Sequence, residues 1–309
     1  MQVVGARRHG PPAVLELMEL PDPTVGPGEV LIRVRAVAVN PGDAVIRRGE
    51  LRDRGTPPIV PGMEAAGTVL GIGTDTVTDL HEGDEVMAIV MPYGSYGAYA
   101  EQVVVPAASV TRIPDNATLA AASTLPMNGL TARLALDTLG LPPGSVLAVT
   151  GSAGAFGGYV VQLAKADGLT VIADASEQDT KLVTDLGADI VIPRGEEYGT
   201  RVREHFTDGA DGAVDGALLL DTVTPAVRDN GVVVTVRGFS HRSDRGVTFT
   251  PVFVGDYART HDKLVELRDL ASRDTLSLRV AEVLPKDQAA RAHRRVEAGG
   301  LRGRLVLEF

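Results

Sequence analysis

The 309-residue chain contains no cysteine and no tryptophan. Without thiols it has no disulfide framework, no thiolate nucleophile and no cysteine-ligated zinc. Lysine occurs only at positions 165, 181, 263 and 286, so arginine supplies most of the positive charge. Acidic residues outnumber basic ones by 40 to 30, a net charge of −10 that argues against a nucleic-acid partner, whose phosphates would be repelled. No run approaches the roughly 18 apolar residues of a membrane span, so no membrane partner is expected. Near the N-terminus, Arg7 and Arg8 are followed by Pro11, Pro12 and Glu16, with no apolar signal-peptide core. The expected compartment is the cytoplasm. The six histidines (9, 81, 205, 241, 261, 293) show no metal-ligand spacing, and surface or capping roles are expected for them.

What is present divides into two textures, as the length suggests for two domains. The first part holds short β-like runs, Val30 to Val39, Gly67 to Leu70, Asp84 to Val90 and Ala98 to Val105, separated by turn clusters such as Pro21-Asp22-Pro23 and Pro57-Pro58. This pattern predicts an antiparallel, barrel-like domain. Residues 115–140 read as helical, with a break at Leu125-Pro126. From about 145 to 255, apolar strands alternate with helices: 145–150, 170–174, 190–193, 213–218 and 232–236. That alternation predicts a parallel sheet covered on both faces. The tail predicts a helix (262–272), a strand (278–284), a helix (287–298) and a last strand (304–309).

Gly151-Ser152-Ala153-Gly154-Ala155-Phe156-Gly157 stands between the first of these strands and a helix in which Gly157, Val160, Val161 and Ala164 recur at helical spacing. A strand, a glycine turn and a helix start bring backbone N–H groups and the positive end of a helix dipole to one point, which suits a pyrophosphate. The spacing is G-x-x-G-x-x-G rather than G-x-G-x-x-G, so its strand–helix context carries the reading.

Six segments, in order and with this loop as the last, resemble the medium-chain dehydrogenase/reductase superfamily, and within it the zinc-free quinone oxidoreductases of the zeta-crystallin type. Gly28 to Val34 is similar to the early strand and Val39-Asn40-Pro41-Gly42-Asp43 to the active-site turn. Pro61-Gly62-Met63-Glu64-Ala65-Ala66-Gly67 resembles P-G-x-E-x-x-G, and Gly83-Asp84-Glu85-Val86 resembles G-D-x-V. Leu125 to Ala132 is similar to the interdomain helix, and Gly151 to Gly157 to the cofactor loop. The resemblance implies an α/β fold: a Rossmann doubly wound parallel sheet (residues 123–261) plus a GroES-like β-barrel catalytic domain (1–122 and 262–309).

Zinc-dependent relatives carry Cys and His where this chain has Asn40 and Met63, an amide and a thioether, so no metal is expected. Direct hydride transfer from a nicotinamide then fits best, to a quinone or an α,β-unsaturated carbonyl, whose charge moves to an oxygen that needs a hydrogen-bond donor or water. By position in the resemblance, Asn40 is the candidate donor, with an Asx-turn residue before Pro41 as the alternative. Asp43 is expected to make a structural hydrogen bond. Thr131 is placed by the resemblance against the nicotinamide amide. Many relatives carry Tyr five residues after the Asn, where this chain has Val45; Tyr93 is a candidate replacement, as is water, and Tyr99 is expected to pack in a strand.

The cofactor signals conflict. Asp174, at the end of the second strand, can accept hydrogen bonds from an adenosine ribose and repel a 2′-phosphate, favouring NADH. Asp179 lies where NADPH-using relatives often have Lys. Arg194 stands at a position resembling the family's phosphate-side Tyr, with Ser176 and Lys181 near it, and a guanidinium binds phosphate well. The balance favours NADPH, with NADH left open. By resemblance the backbone of Phe253 and Val254 lies against the nicotinamide carboxamide; a core position for Phe253 is the alternative. The run 247–250 reads as the last strand of the sheet, and its edge, if exposed, would pair with a twin to give a homodimer. Other readings of the same scaffold are a biosynthetic enoyl-type tailoring reductase and a cofactor-binding protein without activity.

Overall fold

The computed structural model describes residues 1–50, 56–92 and 96–309. Tyr93 lies outside these residues. The chain divides into two compact units, one of Met1–Met127, Ala258–Ser272 and Leu278–Phe309, the other of Asn128–Tyr257 and Arg273–Ser277. Residues 123–127 and 258–261 thus group with the first unit and 273–277 with the second.

The first unit opens with β1 (Gln2–Gly5) and β2 (Glu16–Glu19), an antiparallel pair. Its main sheet is built from β3 (Glu29–Ala38), β4 (Glu64–Ile72), β5 (Glu85–Ile89), β6 (Gln102–Pro106) and β7 (Val110–Arg112), joined by β15 (Val280–Pro285) and β16 (Arg304–Glu308) from the end of the chain. The order is β15-β16-β3-β4-β5-β7, with β6 paired to β3. All pairings are antiparallel except β15 with β16, a parallel pair that the sequence pattern does not reveal. Alternation along β3 turns Val30, Ile32 and Val34 into a core shared with Val86, Ala88, Val103, Val105, Leu305 and Leu307.

Helix α1 (Pro41–Arg48) follows β3 directly, for local reasons. Pro41 takes the first helical position, Asp43 supplies a carboxylate in the first turn, Arg47 and Arg48 supply cations in the last, and Gly49 ends the helix at φ 73°. In the helical stretch that follows β7, α2 (Leu119–Ala122) is a single turn, and Pro126 begins α3 (Pro126–Leu139) instead of merely breaking a longer helix. The unit also contains α7 (His261–Ser272) and α8 (Ala289–Ala298).

The second unit is a doubly wound sheet of β8 (Val146–Thr150), β9 (Thr170–Ala175), β10 (Ile190–Pro193), β11 (Ala210–Asp215), β12 (Val227–Thr235), β13 (His241–Arg242) and β14 (Thr248–Pro251). The order is β10-β9-β8-β11-β12-β14-β13, parallel up to β14. From β8 the sheet grows first to one side and then, at β11, to the other; ligands of such sheets sit at the carboxyl ends of the strands around that reversal. Helices α4 (Ala155–Ala166), α5 (Thr180–Asp185) and α6 (Tyr198–His205) connect the strands, and Ala148, Ile172, Ile192, Tyr198, Val202, Ala213, Val233 and Phe249 form one core. β14 is not the outer edge: the two-residue β13 pairs antiparallel with it and covers it. The edge expected from the sequence at 247–250 is therefore already filled by a local hairpin. Among the described residues no helix is long and apolar enough to cross a membrane.

Candidate functional site

β8 delivers Thr150 to the carboxyl edge of the sheet, and Gly151 turns the chain at φ 71°. The three loop glycines do different work. A Cβ on Gly151 would stand 2.9 Å from the carbonyl carbon of Gly216 and 3.0 Å from the amide nitrogen of Ala217. A Cβ on Gly157 would stand 2.3 Å from the carbonyl oxygen of Gly151 and 2.9 Å from the Cα of Ser152. These two glycines are demanded by the protein's own backbone. A Cβ on Gly154 would meet only the Gly151 oxygen, at 3.1 Å, and otherwise points into open space. Gly154 is the N-cap of α4, at φ −70° and ψ 167°. The amides of Ala155, Phe156 and Gly157 begin the helix and have no intrahelical acceptor, as at any helix start. Two glycines thus shape a tight turn and the third leaves a cradle before a helix N-terminus, an arrangement that fits the pyrophosphate of a dinucleotide.

Neighbouring strand ends hold this turn in place. Ser152 is fully buried; its hydroxyl donates to the carbonyl of Val149 at 3.1 Å and its backbone N–H donates to Oδ1 of Asp174 at 3.0 Å. Asp174 is 5% exposed. Burial pushes its carboxyl above the ordinary value, against the N–H donors of Ser152 and Gly151 and the charge of Arg194. The expected reader of the adenosine ribose is therefore turned inward, onto the glycine turn. On the other side, Asp215 ends β11 with both carboxylate oxygens bonded. Thr150 Oγ1 donates to it at 2.6 Å, and the amides of Leu219 and Leu220 at 3.0 and 2.8 Å. Leu218 and Leu220 both have positive φ, 61° and 55°, in the bend that Asp215 secures. The sequence signal for Asp215 was an acid at a strand end, which sequence reasoning passed over.

Arg194 directly follows β10, and its backbone N–H donates to the carbonyl of Ala175 at 3.0 Å, so it stands beside the end of β9 as expected. Its side chain is exposed and has no salt-bridge partner among the described residues. Ser176 donates its hydroxyl to Oδ2 of the buried Asp179 at 2.5 Å. Lys181 pairs with Asp185 one turn on, at 2.7 Å. Phe253 is 56% exposed and so is not a core residue, whereas Val254 is buried. Thr131 lies on α3 and is nearly buried.

In the first unit, Asn40 caps α1 inside a buried polar cluster. Its Nδ2 donates to Oε1 of Glu64 at 2.8 Å and to the carbonyl of Ala38 at 3.3 Å, while Oδ1 accepts from Arg304 at 2.6 Å. The side chain is 1% exposed. Both amide hydrogens are committed within the fold, so the amide expected to donate to a substrate oxygen is instead spent on Glu64 and the backbone. Glu64 Oε2 also accepts from the amide of Met127 at 2.8 Å. Asp43 makes the structural bonds anticipated for it, accepting from the amides of Asn40 at 2.8 Å and Gly62 at 2.9 Å. Burial pushes Glu64 up to about 7 and Asp43 up to about 6, opposed chiefly by the Arg304 charge and the Asn40 amide at Glu64 and by the backbone donors at Asp43.

A second chain of bonds reaches Asp43 from behind. Arg47, 1% exposed, donates from Nη1 to Nδ1 of His293 at 2.9 Å and from Nη2 to Glu297 at 2.6 Å. A guanidinium only donates, so Nδ1 of His293 is the acceptor and Nε2 carries the proton. That nitrogen faces the hydroxyl of Tyr99 at 3.1 Å, which in turn donates to Asp43 at 3.4 Å. Burial and the two neighbouring guanidinium groups hold His293 down to about 3, neutral at ordinary pH. His293 is thus neither a surface nor a capping residue. No local pattern marks it, because its partners lie up to 246 residues away.

Among the described residues no three His, Cys, Asp or Glu side chains are grouped so as to hold a metal ion. The carboxylate oxygens of Asp43 and Glu64 already face N–H and O–H donors, and Asn40 and Met63 offer an amide and a thioether. This donor set does not fit a catalytic zinc.

Comparison with known proteins agrees with the architecture. Residues 26–115 match the alcohol dehydrogenase GroES-like domain family, and residues 186–307 match a family described as zinc-binding dehydrogenase. An NADPH-dependent alkenal/one oxidoreductase of Arabidopsis thaliana is 34% identical over 224 residues, 70% of this chain and 57% of the relative. A quinone-oxidoreductase of Triphysaria versicolor, QR1, is 36% identical over 192 residues, 59% of this chain and 57% of the relative. The chain thus spans little more than half the length of these two relatives. A mycobacterial protein, Rv1454c, solved in complex with NADPH, superposes with a TM-score of 0.88 at 28% identity and covers 100% of both chains. With its GroES-like sheet and its β8–glycine–α4 turn, the chain belongs to the medium-chain dehydrogenase/reductase superfamily, in its quinone oxidoreductase branch.

Proposed function

We propose that this protein is a zinc-independent oxidoreductase that uses NADPH to reduce a quinone or an α,β-unsaturated carbonyl. The observation that carries the reading is the open cradle at Gly154 before α4, in a loop whose other two glycines are needed by the backbone itself. A dinucleotide whose pyrophosphate rests there would supply a hydride from its nicotinamide. An electron-poor acceptor suits this site, because the amide of Asn40 and the thioether of Met63 are poor ligands for the Lewis-acidic zinc that an ordinary ketone would call for. A quinone or enone takes hydride at carbon, its electrons move to oxygen, and that oxygen takes a proton from water. This assignment leaves Asn40 as the residue that fixes the turn before α1, since its amide hydrogens are already bonded. Thr131 is assigned to the nicotinamide carboxamide, and Phe253 and Val254 to its backbone contacts, by family position.

NADPH is proposed over NADH on two features. The carboxylate that would repel a 2′-phosphate, Asp174, is bonded to Ser152, and the guanidinium of Arg194 is exposed without an ion-pair partner among the described residues. Asp179, held through Ser176, opposes this preference. Turnover of a panel of quinones and enones with NADPH and with NADH in parallel tests the proposal. Faster turnover with NADPH is expected. A protein that binds the cofactor yet reduces none of the panel would overturn the catalytic reading, and a preference for NADH would overturn the cofactor assignment.

A further inference from the structure

We propose that Asp174 is a positioning residue, which holds the glycine turn of the dinucleotide site in its binding shape and sets affinity for NADPH and NADH alike, instead of choosing between them. The inference rests on the dinucleotide reading of that loop. Three observations carry it. Asp174 sits at the carboxyl end of β9, next to β8, so its side chain and the start of the loop meet across adjacent strands. Its Oδ1 accepts the N–H of Ser152 at 3.0 Å, directly after the left-handed residue Gly151. Both partners are buried, Ser152 completely and Asp174 to 5% exposure, so water cannot replace the bond.

The Ser152 hydroxyl is tied to the Val149 carbonyl at 3.1 Å, which fixes the same residue from the strand side. A turn pinned at Ser152 by a carboxylate on one side and a carbonyl on the other is held in one shape ahead of the amides that start α4. The Ser152 amide is therefore spent on anchoring, and phosphate recognition falls to the helix start. A carboxylate employed in this way is 5% exposed and committed through Oδ1 to the turn. Removing it would loosen the turn that both cofactors share, whereas removal of a ribose reader would weaken NADH and strengthen NADPH.

The test uses the full chain, with the affinities of both reduced cofactors measured directly by calorimetry for the wild type, Asp174→Ala and Asp174→Asn. In Asp174→Ala both affinities are expected to fall by a common factor of about ten to a hundred, the cost of a buried bond to a charged group. In Asp174→Asn the amide oxygen still accepts the Ser152 N–H, so both affinities are expected to return to within about tenfold of wild type. Hydrogen exchange at the Ser152 amide of the unliganded protein is expected to accelerate in the alanine variant and to stay slow in the asparagine variant. Tighter NADPH with weaker NADH in either variant would overturn the positioning role and restore the ribose reader. If the alanine variant fails to fold, the asparagine variant and its cofactor ratio decide alone. A wild type that binds neither cofactor would overturn the dinucleotide reading, and this role with it; a changed ratio overturns this role only.

Discussion

Substituting Gly154 and Gly157 separately should split folding from cofactor binding. At Gly157 an added Cβ would lie 2.3 Å from the Gly151 oxygen and 2.7 Å from its carbonyl carbon, both backbone atoms with no rotamer to yield. Overpacking of this kind costs about 1–3 kcal/mol, and the gain of about 1 kcal/mol from replacing a helical glycine by alanine offsets only part of it. At Gly154 the nearest atom to an added Cβ is the Gly151 oxygen at 3.1 Å, and the backbone at φ −70° and ψ 167° accepts a β-branched residue. Valine is a poor N-cap, so a loss of about 1 kcal/mol is expected there. Gly157→Ala should therefore lower the thermal midpoint, whereas Gly154→Val should leave a folded protein that has lost its affinity for nicotinamide cofactors. Thermal unfolding and a titration followed by reduced-nicotinamide fluorescence read the two effects on the same samples. Wild-type cofactor affinity in a folded Gly154→Val protein would refute the assignment of the cradle, and an unchanged midpoint in Gly157→Ala would refute the steric argument.

Arg194→Ala should weaken NADPH by about 1.5–3 kcal/mol, the range for hydrogen bonds to charged groups, and leave NADH nearly untouched; equal losses in calorimetry would mean that the guanidinium does not read the phosphate. Asn40→Ala would strip buried Glu64 and Arg304 of a shared partner, so a loss of about 1–3 kcal/mol in urea unfolding is expected; a stability within error of wild type would remove Asn40 from its structural role. Glu64 should make stability fall as pH rises. Its folded carboxyl is pushed up from 4.5 to about 7, so the native state binds the extra proton between those values, and the stabilisation present at pH 5 is lost by pH 8. Asp43 acts in the same direction between 3.8 and about 6, whereas His293, held down to about 3, costs stability as pH falls below 6.5. Glu64→Gln should accordingly destabilise more at pH 5 than at pH 8, and a pH-independent difference in urea midpoints would contradict the assignment.

Much of the architecture could be read from local pattern. The alternation of short apolar strands with helices between about 145 and 255 corresponds to β8–β12 with α4–α6 between them, because strand and helix periods are properties of neighbouring residues. The signals at both ends of α1, Pro41, Asp43, Arg47, Arg48 and Gly49, are as local, since caps and dipole contacts act within one turn, although only the turn at 39–43 was expected from the sequence. The glycine loop was legible for the same reason: its function resides in backbone between a strand and a helix. Where prediction and structure part, contacts distant in sequence decide. The parallel pairing of β15 with β16 and the antiparallel cover of β14 by β13 are choices among strand partners that no single strand records.

The side-chain chemistry shows the division most clearly. An aspartate at the end of a strand fits equally a ribose reader and a backbone anchor, and only the adjacency of β8 and β9 turns Asp174 onto Ser152. An asparagine before a proline fits equally an exposed donor and a buried cap, and only the approach of Glu64 and Arg304 commits its amide. His293 had no local signal at all, because a histidine's tautomer and charge depend on what surrounds it, here Arg47 and Tyr99 from remote segments. Sequence alone determined which residues could do chemistry and which elements carry them, because periodicity, capping and turn formation are local. Tertiary structure decided which of their hydrogen bonds were already in use, because burial and partner choice arise only when distant strands and helices pack together.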